Sequence, residues 1–213
     1  MSVGEVKPMG RRFQWILDGQ ANGPDPHCDV ALLTSADGVV IPSVGSLVPG
    51  WSLIVPRQPA LSYTDLDKGL RKRLRELADV AAERVRIFGS PAFFEHGSVA
   101  PASVVGCGVD QAHLHVVPLG FDLIEKAQRD SSVAWTSVPV SDPWECVPQG
   151  EEYYLVMSAN HALIGKPTRP ESQYFRKQIA AGIGHAEQWD YKGWPNYGNA
   201  ARTIDCFQLR RAA

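Results

Sequence analysis

Apolar positions first gather in three short runs, Val30 to Leu33, Val39 to Ile41 and Ser52 to Val55, punctuated by Ser35-Ala36-Asp37-Gly38 and Val48-Pro49-Gly50. Asp-Gly between such runs is a hairpin signal, because both residues tolerate the positive φ of a tight turn, and an antiparallel meander is expected. From Thr64 to Phe88 the period changes. Leu66, Leu70, Leu74, Leu77, Ala81 and Val85 recur three or four residues apart, with Lys68, Arg71, Lys72, Arg75 and Glu76 between them. This spacing predicts an amphipathic helix. Charges lying between the teeth of an apolar stripe read as a solvated face before they read as a nucleic-acid patch.

Beyond Gly89, Ala92 to Glu95 predicts a strand, Pro101 to Gly108 a loop, and Gln111 to Val117 a further strand closed by Pro118. Ser131 to Pro148, rich in Ser, Val, Pro and Trp, reads as a connector with short extended pieces, and Tyr153 to Met157 is again strand-prone. Between Glu171 and Ile183, Tyr174, Phe175, Gln178, Ile179 and Ile183 fall at helical spacing, and Gly182 and Gly184 end the element. Strands, a helix, more strands and a late helix argue for an α+β fold with a mainly antiparallel sheet. No Walker A loop or GxGxxG is present, which removes most support for a parallel-sheet nucleotide fold.

Composition narrows the function classes. Hydrophobic residues at 44% against 21% charged exclude disorder as the main state of this 213-residue chain. The formal charge of −2 gives no global positive field for a nucleic-acid backbone or an anionic membrane, so nucleic acid is not an expected partner and a nucleotide must be held locally. No stretch approaches the roughly 18 to 20 apolar residues of a membrane span. Met1 to Arg12 lacks the apolar core of a signal peptide, and a cytoplasmic protein is expected. Cys28, Cys107, Cys146 and Cys206 are scattered without a C-x-x-C pair and read as reduced thiols.

One constellation rises above background: Gly106-Cys107-Gly108-Val109-Asp110-Gln111-Ala112-His113-Leu114-His115-Val116-Val117-Pro118. In a strand, Gln111, His113 and His115 share one face, while Ala112, Leu114 and Val116 pack on the other. The glycine-flanked turn before them is expected to offer free backbone N–H groups to phosphate oxygens. A half-exposed strand with its polar face in water explains His-x-His about equally well. Zinc shared by His113 and His115, with His96 or Asp110 as a third ligand, has no recognisable spacing to complete it, so neither a metal nor a cofactor is called for.

Read with its surroundings, the segment resembles the active-site strand of the histidine triad (HIT) superfamily, His-φ-His-φ-His-φ-φ with φ apolar, with Gln111 in the first position. Gly45-Ser46-Leu47-Val48-Pro49-Gly50-Trp51-Ser52-Leu53-Ile54-Val55-Pro56 is similar to the family's Pro-Gly-His hairpin, with Trp51 in place of histidine. The helix from Thr64 follows in order, and Phe93-Phe94-Glu95-His96-Gly97 is similar to the strand ending near the bound phosphates. Ser172 to Arg176 and Trp189 to Tyr191 resemble, more loosely, the C-terminal extension of the CwfJ-like group. The resemblance implies an N-terminal segment (1–27), a HIT-like core (28–125) and a C-terminal extension packed on it (126–213).

What the resemblance implies chemically is a nucleotide hydrolase, phosphorylase or other nucleotidyltransferase working through a nucleotidyl-histidine intermediate on a nucleoside phosphate derivative such as a dinucleoside polyphosphate or phosphoramidate. His113 matches the nucleophile, His115 the phosphate contact that helps the leaving group depart, and the Gln111 carbonyl the acceptor that fixes the His113 ring. Gly106, Cys107 and Gly108, with Glu95 and His96, fall at the phosphate. Val40, Ile41, Ser43, Leu47, Val48 and Trp51 fall around the nucleoside, Ser43 standing where many members carry an Asp for the ribose. Family uridylyltransferases have Gln where this chain has His115, which speaks against that activity. HIT folds frequently pair, and a homodimer is consistent with the resemblance. The rival expectation is a degenerate HIT-like module that binds nucleotide or a protein partner without chemistry.

Overall fold

The computed structural model describes residues 12–209. Among these, β1 (Leu33–Thr34), β2 (Gly38–Pro42), β3 (Ser52–Pro56), β4 (Ser90–Gly97), β5 (Leu114–Leu119), β6 (Val133–Val138), β7 (Tyr153–Met157) and β8 (Ala162–Pro167) form one sheet in the order β1-β2-β3-β5-β4-β7-β8-β6. Every neighbouring pair is antiparallel. The helices are α1 (Gln14–Leu17), α2 (Lys68–Val85), α3 (Leu123–Gln128), α4 (Tyr174–Gly182) and α5 (Tyr197–Leu209). The architecture is α+β, with an antiparallel sheet and one long amphipathic helix, as the apolar pattern predicts.

The first hairpin forms at Asp37-Gly38, but for a different reason from the expected one. No residue of this turn has positive φ. The turn is closed by Ser35, whose Oγ accepts from the N–H groups of Asp37 (3.2 Å) and Gly38 (3.0 Å). Glycine is required at 38 because α2 crosses there, and a Cβ would lie 2.5 Å from Leu74 Cδ2.

Helix α2 starts at Lys68 rather than Thr64. Asp67 caps it by accepting from Leu70 N–H at 2.9 Å, and Tyr63–Asp65 forms a separate 3-10 turn. Leu70, Leu74, Ala78, Ala81 and Val85 pack on Val40, Ile54, Leu114 and Val116 of the sheet. Two of the basic residues expected on the solvated face are tied down. Arg71 is buried, with a bidentate pair to Asp142 at 2.9 and 2.8 Å, and the Arg75 guanidinium lies over the Phe93 ring at 4.4 Å.

Strand β5 begins at Leu114, three residues later than expected, and continues through Pro118 to Leu119. Gln111 and Ala112 bond to the 58–60 segment instead of a ladder partner, through Gln111 Nε2 to Gln58 O (3.0 Å) and Ala112 N–H to Ala60 O (2.7 Å). Pro118 does not end the strand because it faces Pro91 of β4, and neither proline has a donor to lose. Residues after 126, expected to pack on the core as an extension, supply β6, β7 and β8 to the same sheet, and β7 pairs directly with β4. The 131–148 connector contains a full six-residue strand, β6.

Alternation along the strands gives the sheet two faces. α2 covers one. The other, which carries Val39, Ile41, Leu53, His115, Phe94 and His96, is roofed by both flanks of the chain. Phe13, Trp15 and Ile16 pack on β2 and β3, and Phe175 and Ile179 of α4 pack over β4, β5 and β7.

Candidate functional site

The two histidines of the Gln-x-His-x-His segment are each fixed at Nδ1, one by a backbone carbonyl and the other by an indole N–H. The half-buried His113 ring places Nδ1 2.8 Å from the carbonyl oxygen of Gln111. A carbonyl only accepts, so Nδ1 carries the proton and the lone pair stands on Nε2. Burial is the main cause that lowers the His113 pKa to about 4, so the ring is neutral near pH 7. A neutral imidazole with its far nitrogen fixed as donor is the arrangement a nitrogen nucleophile needs.

His115 is oriented by the reverse polarity. Trp51 Nε1–H donates to His115 Nδ1 at 3.0 Å, which places the remaining proton of the neutral ring on Nε2. The ring stacks on its cross-strand partner Phe94, with centroids 4.1 Å apart and planes 11° from parallel. Burial, followed by the electrostatic effect of His113 and His96, holds the His115 pKa well below the ordinary imidazole value. His115 is therefore a neutral donor beside a neutral acceptor, its centroid 4.9 Å from that of His113.

His96 lies on the same face, 6.2 Å from His115 between centroids. Its Nε2 accepts the Phe175 N–H at 3.3 Å, one of the unpaired donors in the first turn of α4. Burial presses its pKa down to about 3, which keeps that lone pair available. His96 thus caps a helix.

The remaining sequence-derived residues divide. Glu95 points away from the histidines, toward α2, and accepts from Tyr63 N–H (2.8 Å), Trp144 Nε1–H (2.6 Å) and Tyr153 O–H (2.7 Å). Burial still raises its pKa to about 7. The 106–108 turn does not present free donors. Gly106 N–H bonds Ser103 Oγ, Cys107 N–H bonds Val104 O, and Gly108 N–H bonds Ser103 O. Cys107 keeps a wall position, with Sγ accepting from Gln173 N–H at 3.0 Å. The Gln111 side chain is bound to the 56–60 segment and contributes its carbonyl alone. Val40 faces α2, Ile41 is covered by the α1 region, and Leu47 belongs to the cluster under α4. Trp51 is fully buried as the partner of His115. Ser43 borders the cavity in front of the histidines.

That cavity is about 40 Å³, and the two flanks of the chain meet over it: Arg12 and Phe13 from one side, Gln173, Arg176 and Tyr191 from the other. In this measure a water needs roughly 10–15 Å³, so the space suits a few waters or one small oxyanion and not a nucleoside. Sequence reading passed over Arg12 and Arg176. The available signal for Arg176 is an arginine inside the otherwise aromatic and apolar stripe Tyr174-Phe175-Arg176, and for Arg12 there is none. Among the described residues no cluster of three or more His, Cys, Asp or Glu side chains has a metal-binding arrangement, and no helix is long and apolar enough to cross a membrane.

No protein-family model matches the sequence. No curated protein matches it either. Among solved structures, the chain is similar to a HIT-like protein involved in cell-cycle regulation from Bartonella henselae, whose crystal structure carries an unknown ligand. Identity is 16%, with 52% of this chain and 78% of that one covered at a TM-score of 0.41. So loose a superposition decides nothing about chemistry, which rests on the residues of this chain.

Proposed function

We propose that this chain is a HIT-like nucleotide hydrolase or phosphorylase that acts on a nucleoside phosphate derivative through a nucleotidyl-histidine intermediate. The observation that carries the reading is the His113 Nδ1–H bond to Gln111 O, which leaves Nε2 unprotonated beside the His115 Nε2–H. The order of HIT-like segments from 28 to 120 supports it. His113 Nε2 attacks phosphorus, and a P–N bond forms as the bond to the leaving group breaks. The His115 Nε2–H orients the departing oxygen or nitrogen and stabilises its developing charge. Water or orthophosphate then attacks the adduct, restoring the imidazole and releasing the nucleotide.

Intact-protein mass spectrometry after incubation with a panel of mono- and dinucleotides tests this. A nucleotidyl mass addition is expected on the wild type and is absent from His113→Ala; undiminished turnover by His113→Ala overturns the reading. Trp51, bound to His115 where the HIT pattern has a histidine, favours the second reading, a binding module without chemistry. Calorimetric nucleotide binding with no turnover across the same panel would establish that alternative.

A further inference from the structure

The histidine face is short of charge. His113, His115 and His96 are all kept neutral by burial, and Gln111 brings an amide where the HIT pattern has a third imidazole. A phosphoryl group in the cavity needs cations, and they come from outside the strand. Arg176, on α4, is 4% exposed and lines the cavity together with Arg12.

The surroundings of Arg176 are unusual for a buried arginine. Its Nε donates to Trp189 O at 2.9 Å, Nη1 to Val44 O at 3.5 Å, and Nη2 to Gly45 O. Three of the five guanidinium N–H groups therefore meet carbonyls, which accept hydrogen bonds but neutralise no charge. Among the described residues no carboxylate forms an ion pair with it. Asp190, on the adjoining segment, accepts instead from Gln173 Nε2 and Lys192 N–H. The guanidinium lies 4.9 Å from the Trp51 ring, so it sits over the pair that orients His115. Arg12 is already partly satisfied by Asp29 at 3.6 Å. A buried charge without a counter-ion is costly, and an anion arriving beside it recovers that cost.

We infer that the cavity is an oxyanion site in which Arg176, carried in by the C-terminal region, neutralises a phosphate-type group set against His113 and His115, with Arg12 as the weaker second cation. This deepens the proposed function by naming what holds the transferred group, but it is read by binding alone. Burial lowers the Arg176 pKa only to about 10, so the guanidinium stays charged at neutral pH. The fork geometry suits two oxygens of a tetrahedral anion, which a lysine matches poorly.

The test uses the full chain and inorganic phosphate, followed by calorimetry and by thermal unfolding against chloride of equal ionic strength. The wild type is expected to bind phosphate and to unfold at a higher temperature in its presence. Removing one charge-assisted contact in Arg176→Gln should weaken binding about 10- to 100-fold, with Arg176→Lys in between. Because Arg176 also holds three carbonyls, nitrogen-detected NMR of the wild-type guanidinium supplies an independent readout: the Arg176 signals shift on phosphate addition. Wild-type protein that ignores phosphate, Arg176 signals that stay fixed, or Arg176→Gln that binds phosphate normally each overturns the inference. Phosphate binding through Arg176 without any His113 adduct upholds it while sinking the enzymatic reading.

Discussion

His113 and His115 are two residues apart and stand in opposite tautomers because different partners hold them. A carbonyl at Gln111 pulls the proton to Nδ1 of the first, and an indole N–H at Trp51 pushes it to Nε2 of the second. Trp51→Phe removes that push and leaves a buried nitrogen acceptor unpaired, which should destabilise the protein by about 1–3 kcal/mol. Urea unfolding reads the loss, and nitrogen chemical shifts of His115 should report a change in tautomer; an unchanged shift pattern would mean that Trp51 does not set it. At this scale the sequence is informative where a backbone atom does the work. The Gln111 carbonyl serves whatever side chain is attached to it, so the bond that fixes the His113 ring forms with glutamine at this position. Trp51 is conspicuous after Pro49-Gly50, but nothing in a linear pattern reveals that the indole holds a histidine 64 residues further along the chain.

Elements were legible in proportion to their periodicity. α2, with its long leucine stripe, and β4 and β7, with their compact apolar runs, are visible in the chain itself. α5, β8 and α1 are not, since each is short or weakly patterned and gains its burial from partners distant in sequence. The loop between β2 and β3 shows what such partners impose. Gly45 N–H donates to Pro195 O, Gly50 N–H to Thr203 Oγ1, and Asn199 Nδ2 to Ser46 O, so the C-terminal region is stitched to this loop. Gly45 has φ +64°, and a Cβ there would lie 2.5 Å from Tyr191 Cβ. Gly45→Ala should therefore cost about 1–3 kcal/mol and raise amide exchange at 189–191 before it disturbs β4 or β5. Uniform exchange over both regions would contradict a loop-specific role.

For the whole molecule, the two faces of the sheet respond to pH with opposite signs. Burial depresses the folded-state pKa of His113 to about 4 and of His96 to about 3, and holds that of His115 well below the ordinary imidazole value. Their contribution to stability is present above the unfolded imidazole value of about 6.5 and is lost as pH falls toward the folded values. Glu95 is raised to about 7, so its contribution is full below the ordinary carboxylate value and is lost as pH rises through 7. Three imidazoles outweigh one carboxyl, and urea unfolding should show lower stability at pH 5 than at pH 7. Glu95→Gln removes the opposing proton and should steepen that loss; a flat profile in both proteins would refute the balance. The roof over the histidines was the least legible part of the site, because it is a property of assembly and not of any segment. It draws on residues as far apart as Arg12 and Tyr191. During synthesis on the ribosome, His113 and His115 emerge long before the strand that flanks β4 and the helix that brings Arg176. A chain that stops before Tyr191 lacks part of the lining that this cavity needs.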